Sequence, residues 1–528
     1  MRSDVENFLR PLRIDVPMVH RLSQELYKSF KKLATESKIQ FLPTPITESI
    51  LRPAAGCEKG RYLAIDIGGT NLRVGFIELL GHEKANGSNG VDRNPSKFGD
   101  EGEGMENVRR LLEKSWPILD HLKSEHEDDL FAWIGSCIAE VVRAGCQELG
   151  LPQDVPLPLG VTFSFPMIQQ RLADAVLMPM GKGFTIRSHL HLGAHLSKGY
   201  AKARTPDLPS ITIVAIANDA VSTLISFVYQ TNETETRKAA MGLICGTGCN
   251  ATILLDKNNL NHEKLPREVK ESDAQVLSDD GKIAVNTEWT INGTAPALQS
   301  LGLVTKWDTQ LDEEGEAPGF QPLEYMVAGR YLGELGRLML LDYLTTRLGF
   351  TNGALPAQLS KRFGITTTFL SLLKPPDTQI LLSKLMTEYP TAPDAPFQWT
   401  EEIARLVYDI VKAVEVRAAG IIAAATIGLL TFAGDIPLRS YPYHAENVRT
   451  LVDGQPAPPL ELVVGYTGGC IVHFQDYLAD CQDFLDRVID AEFGNSAPVR
   501  VLLSPCHDGG IKGAGVLCGT SQAMLKKN

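Results

Sequence analysis

Asp66, Gly68, Gly69, Thr70, Asn71 and Arg73 fall within one short stretch, Y-L-A-I-D-I-G-G-T-N-L-R-V-G-F-I-E. These residue types suit a bulky anion and its counter-ion. Adjacent glycines let backbone N–H groups turn inward as a nest, while Thr70 adds a hydroxyl donor and Arg73 a positive charge. Asp66 stands where a carboxylate could hold hydrated magnesium. Apolar alternation on both sides also allows an ordinary β-hairpin with a glycine turn. This is not a Walker loop, because the G-x-x-x-x-G-K-[ST] spacing is missing. A second run, Cys245-Gly246-Thr247-Gly248-Cys249-Asn250, follows another apolar strand. Two strand–turn–strand units suggest two related halves, each presenting a phosphate-gripping turn to a shared cleft.

The elements that must position these residues follow from periodicity. Asp15 is expected to cap a helix with Pro17 in its first turn, with Val19, Leu22, Leu26, Phe30 and Leu33 on one face. The F-L-P-T-P stretch from Phe41 is expected to end it and lead into a loop. Helical spacing returns over 130–149, and 159–166 reads as a strand ending in a turn. The apolar run 211–217 suits a strand covered on both faces and stops at Asn218-Asp219. A helix through Phe227 follows, and a boundary between two lobes, 15–218 and 219–528, is expected there. Long helices are expected over 324–343 and 399–431, a strand over 460–466, a helix over 476–493 and a strand over 499–503. A last helix is expected from about Lys512. Residues 81–104 and 257–280 read as polar loops, and 437–459 as irregular.

At 528 residues the chain exceeds what one core supports, so two domains are expected. A net charge of −12 argues against a nucleic-acid or anionic-membrane surface as main partner. Nine scattered cysteines without a C-x-x-C pair read as reduced thiols in a cytoplasmic protein, and no secretory leader is visible. The uncharged run 418–434 is short for a membrane span and rich in small residues, so a tightly packed core helix is expected and no transmembrane segment.

Polar residues at strand ends form a set: Asp66 to Arg73, Ser164, Lys182, Asn218, Asp219, Thr247, Asn250, Glu288, Glu324, Thr467 to Gly469 and Asp508 to Gly510. In order and wording, the strings carrying this set resemble the hexokinase family. They are A-I-D-I-G-G-T-N-L-R-V, T-F-S-F-P, G-K-G-F, A-N-D-A, G-T-G-C-N-A, V-N-T-E-W, P-G-F-Q-P-L-E-Y-M, Y-L-G-E-L-G-R and V-R-A-A-G. The resemblance runs from about Val19 to the C-terminus. It implies an α/β, two-lobed actin-like ATPase (ribonuclease H-like) fold with ATP and sugar between the lobes, as a monomer or homodimer. It implies Asp219 as general base for the sugar 6-hydroxyl and Lys182 as partner of that hydroxyl and of the transferring phosphoryl group. Ser164, Asn218, Asn250, Glu288 and Glu324 would hold sugar hydroxyls. The turns Gly68, Gly69, Thr70, Asn71 with Arg73, and Gly246, Thr247, Gly248, would take phosphates. Thr467, Gly468 and Gly469 would lie at the adenosine, and Asp66 would orient Mg²⁺ through water.

The chain departs from the family pattern at several places. Gly181 stands where a threonine precedes the lysine, Ala220 follows Asp219, Thr467 replaces an aspartate, and Gly510 replaces a serine. Losing one neutral hydroxyl contact costs about 0.5–1.5 kcal/mol, which alters affinity but not the chemistry. The expectation is an active sugar 6-kinase with a changed pocket that favours N-acetylglucosamine slightly over glucose. The alternatives are an ordinary glucose, fructose and mannose hexokinase, or a non-catalytic sugar-sensing regulator.

Overall fold

A computed structural model describes residues 2–52, 58–81, 107–123, 127–178, 189–231, 233–270, 281–373, 377–437, 458–494 and 497–525. Among the described residues thirteen strands are formed. In chain order they are β1 (Leu42–Thr47), β2 (Gly60–Ile67), β3 (Asn71–Leu79), β4 (Val108–Pro117), β5 (Leu157–Phe163), β6 (Met167–Arg171) and β7 (Asp174–Leu177). Then come β8 (Ile211–Ala217), β9 (Arg237–Cys245), β10 (Cys249–Asp256), β11 (Lys282–Asn286), β12 (Leu460–Thr467) and β13 (Val499–Pro505). They make a five-stranded sheet, β4-β3-β2-β5-β8, a six-stranded sheet, β1-β11-β10-β9-β12-β13, and the small β6–β7 ribbon.

The two large sheets share one plan. In each, three strands run antiparallel (β2, β3, β4 and β9, β10, β11), and two more continue parallel to the first of them. A glycine turn joins the first two strands in both. The two related halves expected from the sequence are therefore present as repeated topology.

Layers follow from where the apolar side chains point. The Asp219–Gln230 helix leaves β8, the Gly509–Leu525 helix leaves β13, and the two pack on each other between the sheets. The helices Glu127–Glu148 and Leu192–Ala203 cover the outer face of the first sheet. Outside the second sheet lies the main core, which includes the helices Val16–Glu36 and Glu401–Phe432. The 32-residue Glu401–Phe432 helix is long and apolar enough to cross a membrane, yet 89% of its most apolar window is buried inside the protein. It is a core helix, which is why small residues line it.

Chain order and sheet membership diverge at both ends. β1 pairs with β11 in the second sheet, and the Val16–Glu36 helix packs in that sheet's core, whereas the Gly509–Leu525 helix lies against β2, β3 and β5 of the first.

Three local expectations are corrected. F-L-P-T-P is strand β1 and not a loop, because an edge strand tolerates prolines that a central one would not. The single helix expected over 324–343 is two, Pro322–Val327 and Gly329–Thr346, broken at Ala328. The last helix starts at Gly509, three residues before Lys512. Of the expected loops, the polar run 257–270 holds short 3₁₀ turns, while 82–104, 271–280 and 438–457 lie outside the described residues.

Candidate active site

β2, β5 and β8 are parallel neighbours, so their carboxyl ends lie side by side. Asp66 sits at the end of β2, Ser164 just past β5 and Asn218-Asp219 just past β8. Open α/β sheets bind ligands at this edge, because the strand ends leave backbone groups and side chains free of the ladder. The three ends are stitched together: the Ser164 N–H donates to the Ile67 carbonyl at 2.9 Å. Asn218 Nδ2 donates to the Phe165 carbonyl at 3.4 Å. Asn218 also caps the following helix, its Oδ1 accepting the Ala220 N–H at 2.9 Å.

Asp219 lies near enough to Asp66 to oppose its ionisation. Burial pushes the Asp66 carboxyl up to about 7, with Asp219, Glu113 and Asp508 adding to it and Arg73 opposing. A Cβ at Gly510 would lie 2.5 Å from Asp66 Oδ2, so the start of the last helix presses on that carboxylate. A serine there would have to displace it. The surplus of negative charge around Asp66 suits a divalent cation, which would relieve it.

The first glycine turn is tight: the Gly68 N–H donates to the Asn71 carbonyl at 2.9 Å, and Asn71 Nδ2 to Thr70 Oγ1 at 3.0 Å. Arg73 lies across the ladder from Asp66 and pairs with Asp508 at 3.3 Å. Arg110 of β4 holds the other oxygen of Asp508 at 3.1 Å. Arg110 carries no motif of its own, so nothing in the sequence marks it as a partner of Asp508.

On the second sheet, Asn250 near the start of β10, Asn286 at the end of β11 and Glu288 form one network. Asn250 Nδ2 donates to Asn286 Oδ1 at 2.8 Å and to Glu288 Oε1 at 3.2 Å, and Asn286 Nδ2 donates to Glu288 Oε1 at 2.9 Å. Asn250 Oδ1 accepts the Glu288 N–H at 3.1 Å. Asn286 stands inside the V-N-T-E-W string, where nothing in its own type or spacing marks it as part of this network. Glu324 lies beside this group: its Oε2 accepts the Cys249 N–H at 3.1 Å and the Thr290 hydroxyl at 3.4 Å.

The second glycine turn and the Thr467–Gly469 segment meet. Gly468 has φ +122°, and a Cβ there would be 2.4 Å from the carbonyl carbon of Cys245, so only glycine fits. The Gly329 N–H donates to the Gly246 carbonyl at 2.8 Å and the Arg330 N–H to the Thr247 carbonyl at 3.1 Å. These bonds use donors at the start of the second helix and account for the break at Ala328. The break also frees the Val327 carbonyl, which accepts the Tyr477 hydroxyl at 3.1 Å.

Gly181 and Lys182 lie outside the described residues. Ala220 is fully buried, so its small side chain is absorbed by helix packing and opens no space by itself. The structure thus brings Asp66, Arg73, Ser164, Asn218 and Asp219 to one sheet edge. It gathers Asn250, Glu288 and Glu324 beside the other sheet, and brings Gly246 against Gly468.

A family model described as "Hexokinase" matches residues 4–229, and a second with the same description matches 240–520. Hexokinase-2 of Candida albicans is 32% identical over 297 residues, 54% of this chain and 51% of that protein. The chain's match therefore spans about half the length of that relative. Hexokinase-7 of Oryza sativa subsp. japonica is 26% identical over 473 residues, covering 89% of this chain and 86% of its own. Among solved structures, a hexokinase from Schistosoma mansoni complexed with glucose superposes with a TM-score of 0.70 at 23% identity, covering 98% of both chains. At that identity the likeness speaks to the fold.

Proposed function

Because this chain belongs to the hexokinase family and has its two-lobed actin-like ATPase fold, we propose that it transfers the terminal phosphoryl group of ATP to the 6-hydroxyl of a hexose. One observation carries this reading: Asp66, Ser164 and Asn218-Asp219 gather at the carboxyl ends of three adjacent parallel strands. Asp219 would accept the proton of the 6-hydroxyl, with Asn218 fixing the helix from which it projects. Asn250, Glu288 and Glu324 would hold the other hydroxyls, since a buried polyol needs a partner for each. Lys182 is proposed to offset charge on the transferring group.

Asp66 would hold Mg²⁺ through water, and the two glycine turns would take the phosphates. Magnesium, when bound, supplies charge neutralisation to the polyphosphate. The contact between Gly246 and Gly468 supports reading Thr467–Gly469 as the adenosine end of the same nucleotide site. The eight described cysteines are all free, which supports a reducing, cytoplasmic setting.

For the lobes, the division 15–218 and 219–528 follows chain order. Packing supports grouping the described residues of 58–217 with 509–525, and the segment up to residue 47 with the second sheet. The finer reading is a slight preference for N-acetylglucosamine over glucose, supported by the small residues Gly181 and Ala220. The buried position of Ala220 leaves Gly181 as its main support.

The test is ATP-dependent phosphorylation of glucose, fructose, mannose and N-acetylglucosamine by the purified protein. Turnover of at least one supports the kinase reading, and N-acetylglucosamine equal to or above glucose supports the finer one. Strong glucose turnover without N-acetylglucosamine phosphorylation removes the preference. No turnover of any hexose overturns the kinase.

A further inference from the structure

One buried side chain outside the site, that of Gln40, reaches the backbone of Glu288. Gln40 is 1% exposed, and its Nε2 donates to the Glu288 carbonyl at 3.0 Å. Its Oε1 accepts the Gly293 N–H at 3.1 Å. A Cβ at Gly293 would sit 2.2 Å from that oxygen, so the Gln40 amide fills the space a side chain there would need. One residue further on, the Phe41 N–H donates to the Thr287 carbonyl at 2.9 Å. The clamp therefore grips the chain on both sides of the glutamate.

Gln40 is itself braced. Lys264 Nζ donates to the Gln40 carbonyl at 2.9 Å, to that of Ser37 at 2.9 Å and to that of Ala34 at 3.2 Å. These carbonyls lie at and beyond the C-terminal end of the Val16–Glu36 helix, where unpaired acceptors and the helix dipole favour a cation. The same helix carries Phe30, whose ring stacks on Trp289 with centroids 6.2 Å apart.

What the clamp holds is unusual. Glu288 has φ +46°, in the left-handed region that a glutamate adopts only when its surroundings over-determine it. In this conformation its carboxylate meets both Asn250 and Asn286. Neither bond from Gln40 touches the carboxylate, so any effect on it passes through the backbone.

We propose that Gln40, braced by Lys264, is a positioning residue for Glu288. It maintains the left-handed turn that aims the carboxylate, and so sets sugar affinity from the N-terminal segment. The inference rests on reading Glu288 as a sugar ligand.

The test uses the full chain with two independent variants. Gln40→Met keeps length and loses both hydrogen bonds, and Lys264→Met removes the brace. Sugar affinity is read by titrating glucose and N-acetylglucosamine, sugar and ATP KM by steady-state kinetics, and stability by thermal unfolding. Gln40→Met is expected to weaken sugar binding and raise sugar KM about tenfold, with ATP KM and kcat within about twofold of the parent. Lys264→Met should move sugar KM the same way by less, and Lys264→Arg should restore it. An unchanged sugar KM beside a lowered unfolding temperature leaves a structural role only and overturns the proposal. An equal rise in ATP KM does the same, as does failure of both Met variants to fold. A parent protein that binds no sugar refutes the kinase reading itself, whereas an active parent matched by its variants refutes the positioning alone.

Discussion

Asp219 opens a helix whose cap is the neighbouring Asn218, so its side chain can be removed without losing the cap. Asp219→Ala is expected to bind sugar normally and turn over at least about a hundredfold more slowly. A near-parental kcat would end its assignment as base. A second prediction concerns Glu415, fully buried in the core helix 401–432. Burial pushes its carboxyl up to about 8; Lys412, at 2.7 Å, pulls the other way but shares its charge with Asp476 and Asp480. With the folded pKa above the unfolded one, Glu415 weighs least on stability at acid pH. Its cost grows from about pH 4.5 to about pH 8 and then levels off. Glu415→Gln should therefore gain stability relative to the parent as pH rises from 5 to 8; denaturant unfolding at both pH values checks this, and an unchanged difference sinks it. Asp66 and Asp219 were legible because each ends an apolar run with a charge. Gln40, Asn286 and Arg110 were not, because their meaning lies in partners far along the chain, 248 residues away for Gln40 and Glu288.

The elements divide in the same way. Strands and helices with strong periodicity, such as 211–217 and the Asp15-capped helix, were readable, since burial and capping are local signals. β1 was not, because prolines mark a loop unless a partner strand is already known. Nor was the break at Ala328, which is set by donors reaching to Gly246 and Thr247. That contact predicts a sensitive point: Gly468→Ala must push the Thr467–Gly469 segment off the second glycine turn. We expect ATP KM to rise about tenfold while direct sugar affinity stays within about twofold, the substitution costing about 1–3 kcal/mol of overpacking. Parental ATP KM in a folded Gly468→Ala protein would separate this segment from the nucleotide.

At the scale of the molecule, the proposed ligands sit on two sheets with a helix pair packed between them, so the proposed sugar contacts from both would be complete only with the lobes closed. Small-angle scattering should show a smaller radius of gyration with a saturating sugar that is phosphorylated. An unchanged envelope would count against closure. The repeated sheet plan was foreshadowed by the two glycine turns, but the exchange of end segments between the sheets was not, since no local pattern records which sheet a helix will cover.

That exchange has a consequence for how the protein is made. The inner face of the first sheet is covered by the Gly509–Leu525 helix, which leaves the ribosome hundreds of residues after the strands it shelters. Until then Ala64, Ile77 and Leu79 of β2 and β3 lack that cover, although all three are buried in the finished protein. A nascent chain must carry this apolar face until that helix has been made, a period in which chaperones or neighbouring copies can reach it. Stalled or shortened translation products would then be sticky as well as inactive, their solubility depending on a segment that meets the site only at its first turn, where Gly510 lies against Asp66.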